Sequence, residues 1–538
     1  MEFNNKIFLV ISLLLLSVVS LSQSYDTLNI KEEFDAYNDF LVEKHKVCVI
    51  DPNDDAFIFG DGMSKVLEAY LNMYELTNDK AYLYKFIMNS LCIVENRNDI
   101  NSNAIASTPK WTEGSSSTYA DGYIIAALSR FVFCINVLYP DLKDEELYSF
   151  PEIMPDNYLD SSCNCNFSGI YFKTFGDYSV WLSERVDETI SYFIDNELWS
   201  EEFGMIQPGS TLEINMQAGF ARAFLFMGLA NKRDDYFNKA KRLAELYKSK
   251  VEFNDKCEKR KYSNQVLVLD TVKNSYWWYH MGWKVNYRNC KMRLNQMPDY
   301  NYYTFYVEDV NHGAMVTLFP LDYYKYASDT IFTEEDMVRF RNTFTKNIYN
   351  GKKYNTGLDG TNGKTYIERA YDSITIEEIL RYFSLPYSCW AEFDGVDETA
   401  DSPDVYDLTM KDYINYFTDL KRLPAYYSGQ KCLGHSMLVS QQWEKDSTDL
   451  TLYNRNLVYN QDFNAKRNLV IAPQINNKIR KSDKTPFADP KTFVDEGELT
   501  RFVIEPGVEV HLSAGKSVHL KQGFRAKSGS KLKINLID

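Results

Sequence analysis

Apolar positions recur along most of this chain at helical spacing. Val66, Leu67, Tyr70, Leu71 and Tyr74 fall on one side of a helix. A polar turn, TNDKA, separates it from a second helix running from Ala81 to about Val94, so the pair predicts an antiparallel hairpin with a tight loop. The arrangement returns downstream. Helices are predicted over Tyr119–Tyr139 and Asp177–Ile194, and as a pair joined by ANKRDD within Ile214–Val251. Others are predicted over Asp309–Phe319, over Thr333–Tyr349 with Thr333 as N-cap, over Tyr366–Phe383 and over Met410–Leu420. An amphipathic helix over Ile30–Val47 precedes them all. Long connections rich in Asn, Gly, Ser and aromatics lie between: Asn101–Ser117, Cys163–Gly176, Asn254–Gly282 and Asn350–Lys364.

From about Gln441 the period changes from helical to alternating. Short runs such as VEVHL, KSVHL, FRAK and KLKINL are punctuated by Gly, Pro and Asn and repeat at a short interval. That is strand grammar, and its repetition predicts a small stacked β module. The fold class expected is therefore mainly α, a helical-hairpin domain followed by a small C-terminal β module, with the boundary between Ser440 and Thr451. At the other end, a Lys followed by an apolar run from Ile7 to about Val19 and then small polar residues reads as a secretory signal peptide. The expected division is residues 1–24 as signal peptide, 25–440 as helical domain and 441–538 as β module. The apolar run is short for a membrane span, and no second stretch of spanning length is expected.

Composition narrows the function classes. The chain has 538 residues, 45% hydrophobic and 25% charged, which are the values of a folded body. Net charge is −16, which opposes nucleic acid and anionic membrane surfaces, and no basic run interleaved with aromatics overrides it. Aromatics reach 15%, led by 40 Tyr, a residue suited to half-wet positions. Nine cysteines in an exported chain allow disulfides and leave at least one thiol over. Cys92 and Cys134, in apolar helical patterns, read as small buried residues, and Cys257 with Cys290 as a pair. Cys163 and Cys165 are too few for a zinc site.

Candidate chemistry concentrates in Tyr302–Lys325, YYTFYVEDVNHGAMVTLFPLDYYK. A helix from Asp309 puts His312, Met315, Val316 and Phe319 on one stripe, with His312 at its N-terminal end and Glu308 or Asp309 as cap. The helix N-terminus disfavours an imidazolium and the carboxylates favour it, so the ring is expected to be poised near neutral pH as general acid or base. Asn311 can orient a substrate hydroxyl or neutralise a carboxylate, Tyr306 is a further base candidate, and Gly313 permits close approach. The competing reading is that the carboxylates only cap the helix and His312 is a satisfied core histidine.

Three other clusters are candidate substrate contacts. SYWWYHMGW offers Trp277, Trp278 and His280 as an aromatic groove, or as a hydrophobic anchor between hairpins. WTEGSSSTYADGY offers Glu113, Tyr119 and Asp121, and EINMQAGFAR offers Glu213, Asn215 and Gln217. Both sit at helix starts, where capping is the plainer use. No phosphate loop, HExxH or GxSxG is present. Asp51–Asp55 (DPNDD) and Asp359–Gly363 (DGTNG) are oxygen-rich enough for calcium but lack the EF-hand spacing. No other metal or cofactor is expected.

Two parts of the chain resemble known families. The tail GVEVHLSAGKSVHLKQGFRAKSGSKLKINL, through Val518, Leu520, Gly523, Phe524, Ala526, Gly529 and Ser530, resembles the coat-hanger stack modules of secreted Bacteroidetes proteins. The hairpin patterns LNMYELTNDKAYLYKF and MQAGFARAFLFMGLANKRDDYFNKA resemble the (α/α)6 toroid of six-hairpin glycosidases and polysaccharide lyases. That second resemblance implies a secreted carbohydrate-active enzyme whose inner helix starts gather around one funnel. A lyase would use His312 or Tyr306 as base with Asn311 on a uronate carboxylate. A hydrolase would use Glu308 or Asp309 with Glu113, Asp121 or Glu213. The alternative is a non-catalytic glycan-binding or cell-surface protein. A carbohydrate is the expected partner, at the cell surface, in the periplasm or outside the cell. The sequence specifies no oligomeric state.

Overall fold

The computed structural model describes residues 34–35, 58–100, 107–111, 117–147, 172–196, 198–201, 204–206, 214–255, 260–280, 307–349 and 355–361, together with the strand-bearing residues between 449 and 536. Among them the chain is mostly helical, with strands gathered at the C-terminal end. Helix α1 (Ser64–Thr77) and helix α2 (Ala81–Glu95) form the first hairpin. Asn78 closes α1 in the left-handed conformation, φ 57°, with its N–H on the Tyr74 carbonyl. Asn adopts that region more readily than most side chains, so the turn is local chemistry. Helix α3 (Ser117–Phe133) runs into a π-helical turn, Cys134–Leu138. Helix α4 (Phe175–Asp195) starts on a capping box between Thr174 and Asp177. Strands β1 (Trp199–Ser200) and β2 (Met205–Ile206) pair antiparallel before helices α5 (Ile214–Asn231) and α6 (Asp234–Lys248).

The long connection expected at Asn254–Gly282 is instead largely strand. Strands β3 (Lys250–Asp255) and β4 (Arg260–Gln265) form one hairpin, and β5 (Val268–Asp270) and β6 (Ser275–Trp277) form another. The second is closed by Asp270, whose Oδ1 accepts from the N–H groups of Val272 and Lys273. Helix α7 (Val310–Tyr326) continues through Pro320 beyond the expected end at Phe319. Helix α8 (Glu334–Asn342) carries the predicted Thr333 cap, answered by Asp336, and passes into a π-helical turn, Thr343–Ile348. The helices expected at Ile30–Val47, Tyr366–Phe383 and Met410–Leu420 lie, wholly or nearly so, outside the described residues.

Helices α3 and α5 cross at the centre on glycines. A Cβ on Gly219 would stand 2.5 Å from the Gly122 carbonyl carbon, so neither position has room for a side chain. Gly219→Ala is expected to force the helices apart at a cost of about 1–3 kcal/mol. A lowered urea midpoint measures it, and an unchanged midpoint would mean the helices do not meet this closely.

A charged network ties four helices together through that core. Arg222 on α5 holds both oxygens of Glu68 on α1, at 2.6 Å each, and Asp322 on α7 at 2.5 Å. Arg130 on α3 binds Glu75 on α1 at 2.9 Å and stands 3.8 Å from Glu68. The Lys65 ammonium lies 3.3 Å from the Tyr123 ring centre. Glu68 and Arg222 are each 1% exposed. Burial alone would raise the Glu68 carboxyl, but the charge and hydrogen bonds of Arg222, with Lys65 and Arg130 behind, bring it down to about 2. A carboxyl lowered on folding stabilises the fold above its unfolded value, here taken as 4.5. That stabilisation, about 3 kcal/mol, is lost as pH falls from about 4.5 toward 2. Wild type should therefore lose stability more steeply over that range than Glu68→Gln. Parallel curves in acid denaturation would refute this.

Tyr119–Leu138, within the helix predicted over Tyr119–Tyr139, is apolar and long enough to cross a membrane by length and composition, which departs from the expectation of no second stretch of spanning length. Within the fold 89% of its apolar window is buried, as befits the central helix α3. Cys134 is a free, buried thiol as expected. Cys92 is buried, as expected, and is also disulfide-bonded. Cys257 and Cys290 lie outside the described residues.

The C-terminal strands build the stacked module. Strands β7 (Asp449–Leu452), β8 (Arg455–Leu457) and β9 (Gln461–Ala465) form one rung. Strand β10 (Asn468–Ile471) opens a second rung, β11 (Gln474–Ile475) and β12 (Glu498–Leu499) pair as a short antiparallel stem, and β13 (Phe502–Ile504) and β14 (Glu509–Ala514) complete it. Strands β15 (Ser517–Leu520), β16 (Phe524–Ala526) and β17 (Lys531–Leu536) form the third. Equivalent strands pair in parallel, giving three sheets ordered β7–β10–β15, β8–β13–β16 and β9–β14–β17. Val510 and Leu512 of the middle rung are fully buried, whereas Ile534 and Leu536 of the last rung are 46% and 63% exposed.

Candidate functional site at the head of helix α7

The site is assembled by backbone pairing. The residues after β6 run antiparallel to those before α7, with a bridge between Tyr279 and Val307 and the Glu308 N–H on the Trp278 carbonyl at 2.9 Å. On its other side the same segment pairs with residues 355–358: Leu358 N–H donates to the Glu308 carbonyl at 3.1 Å and Val310 N–H to the Thr356 carbonyl at 3.0 Å. Gly313 admits that third segment, since a Cβ there would stand 2.9 Å from the Leu358 side chain.

This pairing places His280 against Glu308. Nδ1 of His280 and Oε1 of Glu308 are 2.9 Å apart, and both residues are buried. One residue on, Asp309 is the N-cap of α7, as predicted: its Oδ1 accepts from the His312 N–H at 3.1 Å. Its Oδ2 meets Nδ1 of His312 at 2.6 Å. The two imidazole rings lie 5.2 Å apart, edge to face. The result is a pair of carboxylate–imidazole couples side by side, and Glu308 Oε1 is also 3.9 Å from His312 Nδ1.

His312 differs from the near-neutral ring expected. Burial would lower it, but the Asp309 carboxylate, with Glu308 behind it, pushes it up to about 9. Asp309 is itself held below the usual range: burial opposes this, and the His312 and His280 rings outweigh burial. Tyr247 on α6 is pushed well above the usual phenol range, first by burial and then by the Glu308 charge. Glu308 Oε2 is buried with no hydrogen-bond partner. A buried carboxylate oxygen without a donor is costly.

Three helix starts meet here. The Ile214 N–H at the head of α5 approaches the His280 carbonyl at 3.4 Å. Tyr123 on α3 donates to the Asn215 carbonyl at 3.1 Å. Tyr119, at the head of α3, reaches Met315 Sδ at 3.8 Å, one turn along α7 from His312. The heads of α3, α5 and α7 thus converge, and the N-terminal dipole of α7 favours the Asp309 carboxylate that caps it.

The remaining candidates divide. Asn215 is 3% exposed with Oδ1 lacking a hydrogen-bond partner, beside the site. Gln217 grips both the N–H and the carbonyl of Ile206, at 3.0 and 2.5 Å, so it anchors β2 and not a substrate. Asp121 is wholly buried and accepts from the Trp111 N–H at 2.9 Å. The aromatic groove does not form as one face. Trp278 and His280 turn inward while Trp277 and Tyr279 alternate to the other side, half-buried and in edge contact at 5.0 Å. Trp278 packs near Phe340 as a core anchor. Asp359, in the calcium candidate DGTNG, accepts from both the N–H and the hydroxyl of Thr361, which closes its own turn. Asn311 lies in the first turn of α7. Glu113, Glu213, Tyr306 and Asp51–Asp55 fall outside the described residues. The pairing of His280 with Glu308 went unread in the sequence. The one signal for it was the two-residue period of Trp278 and His280, which puts both on the buried face. His280, Glu308 and His312 are also of metal-ligating type, a set the sequence did not name.

No family model, curated protein or solved structure matches this chain. Its reading therefore stands on its own geometry.

Proposed function

We propose that the protein is an exported carbohydrate-active enzyme whose reacting groups are His280, Glu308, Asp309 and His312, held where helical hairpins turn their starts toward one point. The observation that carries this is the convergence of the α3, α5 and α7 heads on two carboxylate–imidazole couples, one buried and one partly exposed. A gathering of helix starts is what an (α/α)6 toroid would present, and it supports that reading. The expected signal peptide and abundant tyrosine suit a secreted protein acting on a glycan, whereas the net charge of −16 gives no long-range attraction to a polyanionic one and tilts toward hydrolysis.

Between the two chemistries, elimination is favoured over hydrolysis. Asp121 is committed to the Trp111 backbone, which leaves Glu113 and Glu213 as the partners for a hydrolytic pair. Imidazole and carboxylate couples are suited to moving a proton next to a uronate carboxylate. The test is the mature chain against a polysaccharide panel, following reducing ends and the absorbance of a new C=C bond together. Both signals together are expected. Reducing ends alone would replace elimination with hydrolysis. Retention of a glycan without cleavage would replace the enzyme with a binding protein.

A further inference from the structure

We propose that His280, Glu308 and His312 bind a divalent transition-metal ion of the zinc class, with Asp309 orienting His312. One ligating atom from each of the three lies within 4.8 Å of the others. Donors around one such ion stand about 3.3 Å apart when each is held at about 2 Å. Small side-chain rotations close that difference, and His312, 20% exposed, is the side from which an ion enters. Two imidazoles and one carboxylate form a set that suits zinc and its neighbours and leaves a further position for water or a substrate oxygen.

Two observations beyond proximity point to a cation. Glu308 is wholly buried, and its Oε2 has no hydrogen-bond donor, so one oxygen of a carboxylate is left for something else. Asp309 Oδ2 lies 2.6 Å from Nδ1 of His312 and so holds the orientation of the ring. A carboxylate behind a ligating imidazole is the outer-shell arrangement that fixes ring orientation at metal sites. The cap that starts α7 and the group that aims His312 are thus one side chain. This proposal uses the same residues as the glycan reading but does not rest on it.

The experiment uses the full mature chain, dialysed against a chelator, with zinc and then cobalt as probes and no glycan present. Calorimetry should give one zinc per chain, and bound cobalt should show the visible absorption of a low-symmetry nitrogen and oxygen site. Asp309→Asn keeps a capping side chain and should weaken zinc by about 10–100-fold. His312→Ala and Glu308→Gln should weaken it more, with circular dichroism unchanged as the check on folding. Absence of stoichiometric zinc binding by wild type would overturn the proposal. So would wild-type affinity in either ligand variant. A chain that binds zinc but cleaves no polysaccharide would leave this site standing and remove the glycan reading. Cleavage by a chain that binds no zinc would do the reverse.

Discussion

Arg222→Met is expected to cost the fold about 3–5 kcal/mol, because it leaves Glu68 and Asp322 as buried carboxylates without their guanidinium. The loss exceeds that of the side-chain packing alone, since methionine fills much of the same space. Each carboxylate must then protonate or draw in water, and both routes are costly in a core this dry. The measurement is urea unfolding of Arg222→Met beside the triple variant Glu68→Leu, Arg222→Met, Asp322→Leu. The triple variant should recover most of the loss, because apolar residues replace the whole set. If the single variant loses under 1 kcal/mol, the network is more hydrated than its burial implies.

Glu308→Gln and His280→Ala are each expected to lower turnover on the responsive glycan by roughly 10²–10⁴-fold. Glutamine keeps the shape of Glu308 and removes the charge that His280 and His312 both face. The assay is initial rate at fixed pH with saturating glycan, alongside a thermal melt to separate unfolding from lost chemistry. Turnover within threefold of wild type in both variants, with the fold intact, would place the reaction elsewhere in the chain.

The helices were legible because their signals are local. Val66, Leu67, Tyr70 and Leu71 mark a buried face by spacing alone, and all four are buried. Thr333 and Asp309 announce helix starts by side-chain chemistry and do cap them. What escaped reading is what joins distant segments. Arg222 and Glu68 lie 154 positions apart, and each looks like a lone charge in an apolar helix. The sequence hint was the anomaly itself, an arginine inside MQAGFARAFLFMG. His280 and Glu308 meet through the bridge from Tyr279 to Val307, and pairing between remote short segments leaves no periodic trace. The site was half legible for the same reason. His312 and Asp309 share one helix turn, whereas their second couple depends on the fold.

The parallel rungs of the C-terminal module carry a consequence for how this chain tolerates change. Each rung rests only on its neighbours, and β11 pairs with β12 as a short stem between β10 and β13 of the second rung. Material inserted or removed beyond that stem leaves the strand registers on all three faces untouched. The module therefore has a growth point, a corner where length can vary from one descendant to another while the stack is inherited whole.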